Sequence, residues 1–473
     1  MICPQGVSDV QRIVHAASKA RGAVKLQPFS CGKNWGFGSG LASQNAAYIL
    51  DLSGLRRIRA LNLQSHCVDL EPGVTQGSLE EALDLKGGSH YFNVTGAGLG
   101  ASVIGNALER GIGYSGQRHL DLLDLEVVLP SGEIARTSRY KASTQVPTYL
   151  GGLGPDPSGL FCQSNFGVVT AATIALHRRP EVMGGVVCHL ANRGLLPELI
   201  SVVSDLIAEG ACYGVPHFFN RERVVTTLSP HLDKHGAEQL ALNAAPWTVL
   251  IPIKGSREVF DASVQHLASL LKPLGRLEVL GKEGGPGLSK LVQGRPSDVA
   301  LASVAFSVFG YSASVTAPVE ASGAGLIHLT PVVPLCGNTI VDVENQTILT
   351  LRRHGYKGVP LSLNAVSARA AALIVSLGFD RRCTEETEAA QRAAEDLLRT
   401  YVRQGFIPYR LGLRQGDLVP QMEHPWPGIM SEMQRIFDPN GCMATSRYEP
   451  LWSQEGSLDD MWDAREKERL CIR

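Results

Sequence analysis

Long apolar runs, paired cysteines and an excess of charge of either sign are all missing from this sequence. No apolar run approaches the roughly 20 residues that a membrane-spanning helix needs. The N-terminus also lacks the basic region and apolar stretch of a secretory signal. A formal net charge of −1 gives no electrostatic reason to expect nucleic acid or an anionic membrane as a partner. We therefore expect a protein that binds neither.

The ten cysteines stand singly, without a C-x-x-C or any other paired spacing. Such a distribution argues against a disulfide framework and against a zinc site, and it is typical of a reducing compartment. We therefore expect no metal centre and a cytoplasmic location.

Glycine is the residue type that stands out, with 50 among 473 residues. Much of it is concentrated in residues 30–40, 96–116 and 151–167, which indicates close approach of the backbone to something bulky. A hydrophobic content of 44% and a charged content of 19% are those of a globular chain, and the length indicates two or three domains.

The texture of the sequence changes twice along the chain. Residues 1–182 alternate short predicted elements with glycine-rich loops, and they include a predicted helix at 7–21. Residues 183–408 carry longer strands and helices, which favours an α+β domain on an antiparallel sheet. Residues 409–473 are again rich in glycine, proline and short motifs, like residues 1–182. We predict a cofactor domain formed by 1–182 and 409–473, with a substrate domain inserted between them.

Two glycine-rich loops admit different interpretations. Residues 28–38 lack the spacing of a P-loop, and alone they could equally be a surface turn. Residues 96–101 fit G-x-G-x-x-A, but a dinucleotide-binding βαβ unit needs a parallel strand next, whereas residues 125–137 turn back as a hairpin. Two loops that together offer backbone N–H groups to the diphosphate of one extended FAD explain both segments.

The loop at 30–38, SCGKNWGFG, resembles the G-[RK]-N-x-G-Y-G pyrophosphate loop of the vanillyl-alcohol oxidase and p-cresol methylhydroxylase (PCMH) family. Other segments resemble further family motifs in family order: EPGVT at 71–75, SVIGNALERGIGY at 102–114, EVVL and GE within 126–133, GP and GLFCQSNFGVVT within 154–170, and FDPNG at 437–441. The resemblance covers the first 180 and the last 65 residues well, and the middle only weakly.

The resemblance implies an α+β fold, namely a two-subdomain PCMH-type FAD-binding domain with an inserted α+β substrate (cap) domain on an antiparallel sheet. It implies an FAD-dependent oxidase or dehydrogenase acting on a small molecule, and a homodimer. The residues that it assigns to FAD are Ser30, Cys31, Gly32, Lys33, Asn34, Trp35, Gly96, Ser102, Asn106, Gly113, Tyr114, Gly167 and Val169.

Catalytic residues are carried over in the same way. Tyr409 and Arg410 resemble the pair that holds the phenolate of para-substituted phenols, and Tyr114 would complete that pocket. A guanidinium and a phenol hydroxyl would lower the substrate's pKa, and the phenolate would push electrons toward the para position. Alternatively, Arg410 pairs with a carboxylate at a domain boundary, and Tyr114 is merely packed.

Three departures from the family pattern limit this assignment. Phe37 stands where a further tyrosine is expected, and Ala97 stands at or near the acidic residue that family oxidases place beside the flavin. No histidine or tyrosine occurs at 369–373, where the covalent flavin ligand aligns, so we expect noncovalent FAD. His119 could take over acid/base work, although a packed or surface histidine is the alternative.

Three functional hypotheses remain open at this point. The first is hydride removal from a small, aromatic alcohol or para-substituted phenol, with the flavin reoxidised by O2 or another acceptor. The second keeps the fold but takes a hydroxy acid, lactone or specialised metabolite, which the changes at Phe37 and Ala97 favour. The third is a flavin-binding protein without turnover.

Overall fold

The computed structural model describes residues 1–33, 35–38, 40–43, 47–138, 147–281, 287–312, 319–413, 415–444 and 447–449. Its N-terminal part contains, in chain order, α1 (Val7–Lys19), β1 (Lys25–Phe29), β2 (Ala47–Asp51), β3 (Ile58–Asn62), β4 (Cys67–Leu70), α2 (Gln76–Asp84), β5 (His90–Tyr91), α3 (Val103–Leu108), β6 (Leu122–Val128), β7 (Ile134–Arg136), β8 (Val168–Ala175) and β9 (His177–Arg178).

The N-terminal part is built on a five-stranded antiparallel sheet of order β3-β4-β8-β6-β7. Strands β1 and β2 form a separate parallel pair, against which α1 buries Val10 and Val14. The register pairs Val128 of β6 with Ile134 of β7, which confirms the predicted hairpin. This antiparallel return excludes the βαβ geometry that a dinucleotide-binding unit of the Rossmann type requires.

The middle part follows with β10 (Val182–Leu190), α4 (Leu196–Ala208), β11 (His217–Asn220), α5 (Arg221–Leu228), α6 (Lys234–Asn243), β12 (Trp247–Gly255), α7 (Arg257–Leu271), β13 (Gly275–Leu280), α8 (Gly287–Val292), α9 (Ala302–Phe309), β14 (Ala324–Leu329), β15 (Val332–Pro334), α10 (Gly337–Arg353), β16 (Leu361–Ser367), β17 (Ala370–Asp380) and α11 (Thr384–Arg403).

These strands form one eight-stranded antiparallel sheet of order β13-β10-β12-β11-β16-β17-β14, with β15 also paired to β17. Successive side chains of a strand point to opposite faces, so each strand contributes to two layers. In β17, Val375 and Leu377 join the hydrophobic core that includes Leu397 and Leu398 of α11. Ile374 and Ser376, on the other face, line a cavity. The predicted antiparallel sheet is confirmed.

The C-terminal segment contacts both parts. The amide of Leu26 donates to Cys442 and the amide of Ala444 donates to Leu26, which places the chain after α12 (Trp426–Phe437) beside β1. Leu411, by contrast, belongs to the core of the eight-stranded sheet. The boundaries at 182/183 and 408/409 stay predictions. In the described part of the chain, no helix has the length and apolar character needed to cross a membrane.

Candidate active site

The two glycine-rich loops lie against each other. A Cβ atom on Gly105 would come 2.1 Å from the Ser30 hydroxyl oxygen, and one on Gly100 would come 3.2 Å from the Lys33 ammonium nitrogen. Because neither glycine has a side chain, the backbone of the second loop and of the start of α3 can lie directly against side chains of the first loop. The contact agrees with the expectation that the loops act as a pair.

A depression, the loop cavity, lies between these two loops and the start of β8. It contains eight of the residues that the resemblance assigns to the cofactor: Ser30, Cys31, Gly32, Lys33, Ser102, Asn106, Gly167 and Val169. The Ser102 hydroxyl also caps α3 by accepting from the Gly105 amide at 2.9 Å, and it donates to the Pro72 carbonyl at 2.6 Å.

A second depression, the sheet cavity, meets the loop cavity at Asn106. It is lined by Trp35, Gly96 and Tyr114, which the resemblance also assigns to the cofactor. Gly113 is in neither lining; it packs against Asn93, and a Cβ atom on it would come 2.1 Å from the Asn93 side-chain oxygen. Asn34 lies outside the described residues.

Two polar atoms in this joined space suggest that a polar ligand belongs there. Trp35 Nε1 and Asn106 Oδ1 are buried and have no hydrogen-bond partner among the described residues. Buried polar atoms in folded proteins are almost always paired, so orphans that line a cavity are typical of a ligand site. The continuous trough and its bare glycine turns fit an extended dinucleotide such as FAD.

Gly36 holds the first loop against the middle sheet. Its φ of 77° lies in the left-handed region, and a Cβ atom would come 2.4 Å from Cδ2 of His328. Its carbonyl accepts from the His328 amide at 3.0 Å. Only glycine satisfies both demands, so this residue connects the cofactor loop to the wall of the sheet cavity.

The sheet cavity is walled by one face of the eight-stranded sheet. His217 on β11 is paired in register with Asn364 on β16, and His328 on β14 is paired with Ser376 on β17. All four side chains line the cavity, whereas their apolar neighbours along each strand enter the core behind the sheet. Asn364 Oδ1 is a further buried atom without a partner among the described residues.

Both cavity histidines are neutral at physiological pH. Burial lowers the pKa of His217 to about 4, although a hydrogen bond to the Val215 carbonyl opposes the shift. That bond, at 2.6 Å, assigns the proton to Nδ1 and leaves the Nε2 lone pair available. Burial, with the nearby guanidinium groups of Arg223 and Arg410, lowers the pKa of His328 to about 3.

Tyr409, Arg410 and Tyr114 all line the sheet cavity, as the resemblance implied. Tyr114 stacks on His217, with ring centroids 4.2 Å apart and an interplanar angle of 7°. Burial raises the pKa of Tyr409 and of Tyr114 above the usual value, so both hydroxyls stay protonated and can donate. Phe37 is buried in the same wall, 5.2 Å from its ring centroid to the Arg410 guanidinium carbon.

Arg410 also supports the second loop. Its Nε and Nη2 donate to the Glu109 carbonyl at 2.8 and 2.6 Å, at the C-terminal end of α3. A cation at a helix C-terminus is favourable because it faces unpaired carbonyl groups. The Glu109 carboxylate is 3.9 Å from Arg410 Nε. Arg410 therefore also has a carboxylate nearby, as the alternative interpretation of this residue expected.

The remaining sequence-based candidates fall in different places. Ala97 lines the sheet cavity, and the described residues of that lining include no aspartate or glutamate. His119 instead lines a third cavity with Arg369, Ala370 and Ala372, and this cavity meets the sheet cavity at Tyr409. Within the described lining of the sheet cavity, the structure therefore supplies imidazoles rather than a carboxylate.

Sequence reasoning missed His217, His328 and Arg223. The signal for His328 was weak: a polar residue within the apolar strand 324–329, a pattern shared with many packed histidines. His217 and Arg223 flank the junction of a four-residue strand and a helix, neither of which the sequence pattern revealed.

Comparisons with known proteins agree with this architecture. A family model described as "FAD binding domain" matches residues 1–138. The chain is 26% identical over 95% of its length to 1'-carboxy-chondrochloren decarboxylase of Chondromyces crocatus, of which it covers 90%. It is 22% identical over 93% of its length to the flavoprotein subunit of 4-cresol dehydrogenase [hydroxylating] of Pseudomonas putida, of which it covers 86%. The crystal structure of p-cresol methylhydroxylase with substrate bound superposes with a TM-score of 0.84 at 20% identity, covering 96% of this chain and 89% of that one.

Proposed function

Because the chain is an FAD-dependent oxidoreductase that belongs to the PCMH-type flavoprotein family, we propose that it removes a hydride from a small aromatic alcohol or para-substituted phenol. The observation that carries the proposal is the shared cavity of Tyr409, Arg410 and Tyr114, which is continuous with the paired glycine loops. Bound FAD supplies the two-electron acceptor.

The side chains of the sheet cavity support the first steps of such a reaction. Tyr409 and Tyr114 donate hydrogen bonds to the substrate oxygen, and Arg410 adds positive charge that lowers the substrate's pKa. The Nε2 lone pair of His217 can accept a hydrogen bond from the substrate hydroxyl, since its Nδ1–H is held by the Val215 carbonyl. The imidazole is too weak a base to keep the phenolic proton, which is released to solvent. The resulting phenolate directs electron density to the para substituent, from which the hydride departs.

We propose that the FAD is held without a covalent bond. Residues 369–373 carry no histidine or tyrosine, and Arg369, Ala370 and Ala372 line the third cavity rather than the sheet cavity. Acid precipitation of the purified protein tests this proposal. Flavin colour in the supernatant is the expected result, and flavin retained in the pellet would contradict it.

A substrate panel tests the proposed reaction. Under anaerobic conditions, 4-ethylphenol and vanillyl alcohol are expected to bleach the flavin absorbance, whereas D-lactate and other 2-hydroxy acids are not. Bleaching by 2-hydroxy acids alone would instead support the second hypothesis. Since one relative is named as a decarboxylase, 4-hydroxyphenyl carboxylic acids belong in the panel, with released CO2 measured.

Tyr409→Phe tests the binding of the phenol oxygen. Loss of a hydrogen bond that is made to the developing phenolate should slow flavin reduction by about 10- to 100-fold. Tyr48→Phe, on the exposed side of β2, is the matched control and should reduce at the wild-type rate. An equal rate in all three proteins would contradict the assigned role of Tyr409.

A further inference from the structure

Arg223 is a cation in the sheet cavity with no carboxylate partner among the described residues. It lies in the first turn of α5, and the Asn220 side chain fixes this turn by accepting from the Arg223 amide at 2.9 Å. Its guanidinium donates to the Pro360 carbonyl at 3.3 Å and to the Ser376 hydroxyl. Its Nε is buried and unpaired within the described part of the chain.

This guanidinium stays charged in surroundings that do not neutralise it. Burial lowers the pKa of Arg223 to about 10, which still leaves it protonated at neutral pH. The polar side chains shown near it are the Ser376 hydroxyl and the neutral imidazole of His328, and the described lining of the cavity contains no acidic side chain. A buried charge without a counter-ion is costly unless a ligand supplies one.

The geometry points to a carboxylate on the substrate, bound by Arg223 at the part of the sheet cavity formed with Ser376 and His328. A guanidinium presents parallel N–H groups that match the two oxygens of a carboxylate. This inference depends on the proposed function in one respect only: the other anionic group of the substrate is taken to be a phenolate bound at Arg410. The two anion sites together define the substrate class: 4-hydroxyphenyl compounds whose para substituent carries a carboxylate.

The two arginines allow the two anionic ends to be distinguished. Arg410 is tied to the Glu109 carbonyl beside the cofactor loops, whereas Arg223 is tied to β17 and the chain before β16. His328 is close enough to both guanidiniums for each to lower its pKa. The contacts agree: His328 Nδ1 is 3.1 Å from the Ser376 hydroxyl that Arg223 also contacts, and its ring centroid is 5.5 Å from that of Phe37, which lies against Arg410.

Ligand binding to the oxidised holoenzyme tests the inference without any turnover. The probes are 4-hydroxybenzoate and its neutral analogue 4-hydroxybenzamide, neither of which has a benzylic C–H to lose. Their affinities are read from the change in visible flavin absorbance on titration. The wild type is expected to prefer the carboxylate, and Arg223→Gln is expected to weaken 4-hydroxybenzoate binding by about 10- to 100-fold while changing the amide by less than about threefold.

Matched variants separate the carboxylate site from structural effects. Arg221→Gln changes an exposed arginine two residues earlier on α5 and should retain the wild-type preference. Arg223→Lys should recover part of the preference, because it restores the charge. Equal FAD content in all variants verifies that the fold and the cofactor site are intact.

Three outcomes would overturn the inference. Equal weakening of both probes by Arg223→Gln would assign Arg223 to the phenol oxygen. An unchanged preference for the carboxylate would assign Arg223 a structural role, and lost FAD in Arg223→Lys as well as Arg223→Gln would assign it to the cofactor. Failure of the proposed hydride transfer leaves this binding measurement unaffected, so the two proposals are tested separately.

Discussion

His217 offers the sharpest prediction, because its environment sets both its charge and its tautomer. The side chain is 5% exposed, stacked on Tyr114 and bonded through Nδ1 to the Val215 carbonyl. Burial lowers its pKa to about 4 in the folded protein, whereas an unfolded chain has an ordinary histidine. The perturbation is His217→Gln, which removes the titrating group.

The expected magnitude follows from proton linkage. Below the ordinary histidine pKa of about 6.5, the unfolded state binds a proton at His217 that the folded state does not bind. The free energy of unfolding therefore falls as the pH decreases toward 4. Between pH 7 and pH 5, His217 alone is expected to cost the wild type about 2 kcal/mol. The Gln variant does not incur this loss.

The assay is urea unfolding at pH 7 and pH 5 with a fixed excess of FAD, followed by tryptophan fluorescence. Trp247 is buried on β12, directly beside β11, and reports on the same sheet. The exposed His15→Gln on α1 is the control and should keep the wild-type pH dependence. If wild type and His217→Gln lose the same stability on acidification, the reasoning from a desolvated, neutral His217 is refuted.

Two further predictions concern packing. Gly105→Ala should impair FAD retention, measured as the ratio of flavin to protein absorbance, because the new methyl group would clash with the Ser30 hydroxyl. Adding Ser30→Ala to the same chain removes that hydroxyl and should restore part of the FAD retention. No recovery in the double variant would mean that the clash lies elsewhere. Glu344→Ala should destabilise the protein by about 1–3 kcal/mol, because it leaves the buried Trp247 indole N–H without its acceptor at 3.0 Å. Glu344→Gln, which retains an acceptor, should cost less when both variants are compared by urea unfolding.

The sequence by itself was sufficient to predict the FAD cofactor and to propose the segments that would hold it. Its information is local: contiguous segments such as 30–38 and 102–114 need glycine where the backbone must turn or be approached closely. The family fold, the FAD cofactor and the hairpin that excludes a Rossmann unit could all be predicted from such segments.

Only the tertiary structure added His217, His328 and Arg223 to the sheet cavity, beside Tyr409, Arg410 and Tyr114, which the sequence had already suggested. His217, His328 and Arg223 come from β11, β14 and α5, and the strand order β11-β16-β17-β14 brings them to one cavity. A sequence does not state which strands pair, nor which face of each strand meets the core, and a shift of one residue would turn every side chain to the other face. The charge state of these groups depends on the same packing. Burial keeps both imidazoles neutral, with the Arg223 and Arg410 guanidiniums adding to the effect at His328, and the same packing leaves Arg223 without a counter-ion among the described residues.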